Sequence, residues 1–231
     1  MKRGAVMILG IVIVCATAMW LVYSLAINNK MSVPPNIPSK TSTSTQKFDK
    51  SLSDGTITIS YPSSEFGLAT NQQQLSGHLA YIPPCDQGFN YCLYYSTSTY
   101  EGTNFEAAGI AINNLTATLP TVQQCLTTPP NGYTNISPTS TISNVGYSTS
   151  LFANLGNAAM GHYATDNVYR LAYAGKCYEF DARIGETQFA NYPPGAIELF
   201  TPADYNAVKS ELQAILNTLS LPGGGSVTFP Q

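Results

Sequence analysis

Residues 4–27 form an uninterrupted run of 24 residues without a charge, preceded by Lys2 and Arg3. As a helix this run spans roughly 36 Å at about 1.5 Å per residue. A bilayer core needs only about 20 apolar residues. The basic pair lies before the run, and one lysine, Lys30, follows it. The positive-inside rule then puts the N-terminus in the cytoplasm and everything after the run outside it. Trp20 and Tyr23 sit toward the distal end, where interfacial aromatics are favoured. The rival reading is a cleaved signal peptide, since Ala16-Thr17-Ala18 and Ser24-Leu25-Ala26 both satisfy a small-x-small pattern. The apolar run continues past Ala18, and its length favours an uncleaved anchor. Either reading exports the rest of the chain. Cys15 lies deep in the run after Val12-Ile13-Val14 and makes a poor lipoprotein site, and the run lacks the Glu of a type IV pilin.

The expected organisation follows. Residues 1–30 are a cytoplasmic tip and anchor. Residues 31–47, rich in Pro, Ser and Thr, are a linker. Residues 48–221 form one extracytoplasmic domain, and residues 222–231 a Gly-rich tail. Val227-Thr228-Phe229 within that tail reads as a short added strand or a frayed end.

From Phe48 onward there are five basic residues against thirteen acidic ones, a balance of −8. Nucleic-acid binding needs a basic footprint and is excluded on this ground. An electrostatic grip on anionic lipid is excluded likewise. Only 10% of the chain is charged, against the usual quarter or so. Asn, Gln, Ser, Thr and Tyr fill the gap.

Strand patterns occur at 56–61, which ends at Pro62, and at 78–82, 91–95 and 105–112. Residues 119–126 suit a short helix starting after Pro120, and the polar stretch 140–155 suits a hairpin. The best hairpin is 168–183. With Ala174-Gly175 as its turn, Tyr169, Leu171, Tyr173, Tyr178 and Phe180 share one face. Arg170, Ala172, Cys177 and Glu179 share the other. This register sets Arg170 opposite Glu179, a cross-strand pair worth roughly 0.2–1 kcal/mol. Thr201-Pro202-Ala203-Asp204 is a helix start, with an N-cap Thr, Pro at the first position and an acid at the third. Tyr205, Val208, Leu212, Ile215, Leu216 and Leu219 then recur at helical spacing, predicting an amphipathic helix of about 17 residues. The fold class is α+β: an antiparallel sheet packed by a C-terminal amphipathic helix and stabilised by disulfides.

Cys85, Cys92, Cys125 and Cys177 are an even set in an exported domain and read as two disulfides. Four cysteines allow three pairings. Cys85–Cys92 is favoured because it closes a short loop between two strands. Cys125–Cys177 then clips a distant segment to the hairpin. A redox or metal centre is disfavoured, since the chain has no C-x-x-C.

No catalytic, metal or cofactor motif is present. His78 and His162 are the only histidines. They show neither H-x-x-x-H nor H-E-x-x-H spacing, and a serine nucleophile would be marked by G-x-S-x-G, which is absent. Asp166, Glu179, Asp181 and Glu186 cluster near the hairpin and read as a solvated strand face. Of the fifteen tyrosines, Tyr91, Tyr94, Tyr95 and Tyr100 sit beside the first disulfide. They read either as a contact surface, together with the sheet face near Arg170, or as core residues reaching a polar rim. Asn114-Leu115-Thr116 and Asn135-Ile136-Ser137 match glycosylation acceptors, a pattern that also arises by chance.

Ile59-Ser60-Tyr61-Pro62, Phe66-Gly67-Leu68, Thr103-Asn104-Phe105, the late hairpin and the closing helix together resemble the PsbP-like family of exported α/β domains. The whole chain is also similar to membrane-anchored proteins of bacteria with reduced genomes, through residues 85–95, 100–105 and 169–178. The resemblance implies a non-catalytic assembly or binding module. Because the anchor and disulfides depart from the photosynthetic members, it does not imply a photosystem role. The expected function is therefore a membrane-anchored module binding a protein or glycan partner. The alternative is an envelope hydrolase using His162 or His78 with a nearby carboxylate.

Overall fold

A computed structural model of the protein describes residues 47–231, apart from 79, 80, 87 and 97 and the side chains of 76–78. The expected anchor at 4–27 and nearly all of the linker lie outside the described residues. Among the described residues no helix is long and apolar enough to cross a membrane.

Eleven strands are described: β1 (Lys50–Ser53), β2 (Thr58–Tyr61), β3 (Phe66–Ala69), β4 (Tyr91–Tyr95), β5 (Phe105–Asn114), β6 (Ser140–Asn144), β7 (Tyr147–Ala159), β8 (His162–Tyr173), β9 (Lys176–Thr187), β10 (Ser220–Leu221) and β11 (Gly225–Ser226). Among the described residues there are two α-helices, α1 (Val122–Thr127) and α2 (Pro202–Leu216). The main sheet is antiparallel with seven strands in the order β3-β4-β5-β9-β8-β7-β6, and a small sheet runs β1-β2-β10-β11. The α+β class, the antiparallel pairing and the C-terminal helix agree with the sequence pattern.

The β8–β9 hairpin has the expected register, with Arg170 opposite Glu179 and Tyr169 opposite Phe180. Ala174 and Gly175 both take positive φ, 49° and 73°. That is the conformation a two-residue turn needs to match the right-handed twist of its strands. The α2 cap is also as expected. Thr201 and Asp204 form a reciprocal capping box, and Pro202 occupies the first turn. The apolar stripe of α2, with Val208, Leu212, Ile215 and Leu216, packs on Ile110, Phe180, Ala182 and Ile184 of the sheet. Ile57 and Ile59 of the small sheet belong to the same core.

Residues 222–231 do not hang free. Val227 and Phe229 are buried in the main core, and the Phe229 ring lies edge-on to Tyr169 and Phe180. Of the expected strand at 78–82, His78 closes a 3-10 turn, Gln72–His78, and Tyr81 and Ile82 lie in a bend that leads into Pro83-Pro84, while 79 and 80 lie outside the described residues. Two adjacent prolines supply no ladder donors, which ends any strand there.

The second face of the main sheet is covered too. Cys85–Cys92 and Cys125–Cys177 are both bridged, the pairing favoured from sequence. The first holds the loop 81–90 over β4 and β5, and the second holds α1 over β8 and β9. Gly109 makes the first of these possible, because a Cβ there would meet the backbone carbonyls of Leu93 and Pro84 at 2.8 and 2.9 Å.

Candidate functional site

The acidic cluster of the hairpin is not a solvated face. Loop 81–90 and α1 cover Asp166, Glu179 and Asp181, whereas Glu186 lies on the opposite face of β9; Asp166 is 1% exposed, Arg170 2% and Arg183 5%. Arg170 is ion-paired to Glu179 at 2.6 Å and donates to the Cys125 carbonyl at 3.2 Å. Arg183 donates to Asp166 through Nε at 2.7 Å and Nη2 at 3.0 Å, and to both oxygens of Asp86. Tyr133 donates to Asp166 at 3.3 Å. Burial alone would lower the Arg183 pKa, but the bonds to Asp86 and Asp166 outweigh it and raise it further. Burial, reinforced by Asp166, pushes the Asp181 carboxyl well above its ordinary range. Arg170 is thus engaged with Glu179 and the Cys125 carbonyl beneath the surface, and of this cluster Asp86, at 65% exposure, is the group that reaches solvent.

The four clustered tyrosines part company. Tyr95 is buried among Phe66, Tyr100 and Phe105, and Tyr100 packs on Phe105 and Phe200. Burial pushes the Tyr100 phenol up to about 12. The Tyr94 ring lies over Gly67, in the space a Cβ would occupy. For Tyr95 and Tyr100 the core reading holds, and of the four it is Tyr91 that opens onto a cavity.

Glu211 of α2 faces the Tyr95–Tyr100 cluster. Burial, then the charge of Glu65, raises its pKa from 4.5 to about 7. The native state therefore holds a proton that the unfolded chain has released between about pH 4.5 and 7, and stability falls as pH rises through that window. Replacing Glu211 with Gln is expected to remove this fall. The variant should gain about 1–2 kcal/mol over the wild type at pH 8, after discounting for partial exposure, and nothing at pH 4. Urea unfolding at the two pH values measures it, and equal shifts at both would refute the assignment.

The cavity beside Tyr91 lies between the β1–β2 hairpin and one end of the main sheet, with a volume of about 470 Å³. Its walls are aliphatic, from Leu52, Ile57, Ile59 and Ile112, with the rings of Tyr91 and Tyr178. Asp54, Thr70, Asn90 and Asn114 supply polar groups. The carboxylate of Asp54 is fixed in place. Its Oδ1 accepts from the backbone N–H of Thr56 and Ile57 at 2.8 and 2.9 Å, and its Oδ2 from the Tyr178 hydroxyl at 2.7 Å. Burial opposes its charge, but these bonds prevail and hold its pKa below the usual carboxylate value. Burial pushes the Tyr178 phenol up to about 12. A half-apolar cleft with a few fixed polar groups is the ordinary form of a small binding site. The sequence signal for it was Tyr91 beside a disulfide. The contribution of the β1–β2 hairpin, remote in sequence, carried no signal.

His162 opens β8 at the opposite end of the sheet. Its Nδ1 lies 2.9 Å from Glu106 Oε1, although the angle falls outside hydrogen-bond geometry. The Tyr81 ring stacks on the imidazole with centroids 4.1 Å apart. Among the described residues no hydroxyl or thiol hydrogen-bonds the imidazole, so no nucleophile completes a triad there. The His78 side chain lies outside the described residues. Among the described residues no group of three or more His, Cys, Asp or Glu is placed to hold a metal.

No protein-family model matches the chain, and no curated protein matches it.

Proposed function

We propose that the protein is a non-catalytic binding module of the PsbP-like kind. Residues 4–27 anchor it in the membrane, and its domain lies outside the cytoplasm. The observation that carries the reading is the cleft beside Tyr91. It is preformed, it is half apolar, and its polar groups are held by hydrogen bonds rather than poised for proton transfer. The Cys85–Cys92 bridge braces the segment that contributes Asn90 and Tyr91. Such a cleft suits an apolar side chain of a protein partner flanked by a hydrogen-bonding group.

A photo-crosslinking residue placed at Asn90 in the full chain, in its native membrane, tests this. The expected result is a discrete adduct from position 90, none from the exposed Val145 turn, and loss of the adduct when Thr70→Trp fills the cleft. Equal labelling from both positions would overturn the reading.

The close approach of His162 and Glu106 favours one second reading, an envelope hydrolase. Ester hydrolysis by the purified full chain that is lost in His162→Gln would support it. An unchanged adduct from position 90 in that variant would support the binding module.

A further inference from the structure

A second cavity, of about 550 Å³, lies between α2 and strands β7 and β8 of the main sheet. It falls in the size range of small-ligand pockets, about 300–1,000 Å³. Its lining is unusual for a domain with a balance of −8. No carboxylate side chain contributes; the polar side chains are amides, hydroxyls and one ammonium, Lys209, and the final residue, Gln231, lines the cavity as well.

The cavity is built by a departure from regular structure. The β7–β8 register shifts between Phe152 and Leu155, and Asn154 at that bulge takes φ 54°. A bulge of this kind re-aims a side chain, and left-handed backbone at a non-glycine residue is costly enough to deserve a reason. The backbone N–H of Asn154 donates to Asn167 Oδ1 at 2.9 Å, which pins the bulge. Deeper in, the Tyr169 hydroxyl donates to Gln213 Oε1 at 2.8 Å, and Gln213 Nε2 donates to Asn217 at 3.1 Å. These inner groups are spoken for and rigid. The side chains of Asn154, Asn206 and Lys209 make no hydrogen bond or ion pair among the described residues and are exposed. The pattern is a fixed inner shell with unengaged amides and one ammonium at the mouth.

We infer that this groove is a saccharide-binding site. Each amide offers a carbonyl acceptor and an NH₂ donor side by side. Neighbouring sugar hydroxyls, each both donor and acceptor, are the chemical complement of that pair. Lys209 adds donors without an acceptor, which suit the ring and hydroxyl oxygens of a sugar. The site is separate from the Tyr91 cleft, and its failure leaves the reading of that cleft standing.

The test is ligand-observed saturation-transfer NMR on the full chain in lipid nanodiscs, which avoids glycoside detergents. The probes are glucose, N-acetylglucosamine and glucuronic acid. Saturable binding of at least one probe is expected, with Kd on the order of 0.1–10 mM. Asn154→Gly keeps the left-handed backbone and removes only the amide. It should weaken binding at least about tenfold at unchanged thermal stability, as should Asn206→Ala, while Tyr91→Ala should leave binding intact. No saturable binding of any probe overturns the inference. So does binding that survives both groove variants or is lost in Tyr91→Ala.

Discussion

Replacing Arg183 with Met is expected to destabilise the domain by about 3–5 kcal/mol, the usual cost of stranding a buried charge. For a domain whose total stability is about 5–15 kcal/mol, that is loss of a large share of it. Among the described residues Arg183 is the one cation bonded to Asp166, which is 1% exposed, and it also faces the half-buried Asp181. Met fills similar volume but leaves these carboxyls with no counter-charge. Part of the loss should be recovered at acid pH, where protonation removes the stranded charge. Arg183→Lys keeps one charge but loses the two-pronged grip on Asp86 and should fall between. Denaturant unfolding with near-UV circular dichroism reads all three. A shift under about 1 kcal/mol for the Met variant would show that water reaches the cluster and that its burial is misjudged.

The second large effect concerns the bridges, and its sign is set by loop length. The cysteines of Cys125–Cys177 are 52 positions apart in sequence and those of Cys85–Cys92 are 7 apart. On the chain-entropy model, removing them as Cys→Ser pairs costs about 4 and about 2.4 kcal/mol respectively. The larger cost should therefore belong to Cys125–Cys177, although the other bridge seats the loop that carries Asp86. Unfolding midpoints of the two double variants decide the order. If Cys85–Cys92 proves the costlier, the loop's contacts with Arg183 and Gly109 outweigh chain entropy.

What could be read from the sequence was what local rules dictate. The β8–β9 register followed from strict alternation around Ala174-Gly175, and the α2 start from Thr201, Pro202 and Asp204. The disulfide pairing followed from loop economy. Alternation shows which residues share a face, but not whether a second layer covers the far face. The hairpin acids were therefore read as solvated, when loop 81–90 and α1 cover Asp166, Glu179 and Asp181. The tyrosines stayed open between contact surface and core for a related reason. Tyr91 and Tyr95 are four residues apart on one strand and share its face, yet the rings of Phe66, Tyr100 and Phe105 pack on Tyr95. The two cavities were not legible, because each joins segments more than forty residues apart, and Asn154 gives no sign in sequence of its left-handed turn.

The chain enters the described domain at residue 47 and passes at once into β1, whose four residue pairs with β2 form one edge of the small sheet. Leu52, Ile57 and Ile59 of that hairpin are also a wall of the cleft beside Tyr91. Any tension transmitted along the backbone from the N-terminal side is thus borne first by this short ladder, before the seven-stranded sheet carries any of it. Residues 50–61 thus carry both that ladder and four residues of the cleft lining, so a pull that displaced the hairpin would deform the pocket, and a ligand filling the pocket would resist the displacement.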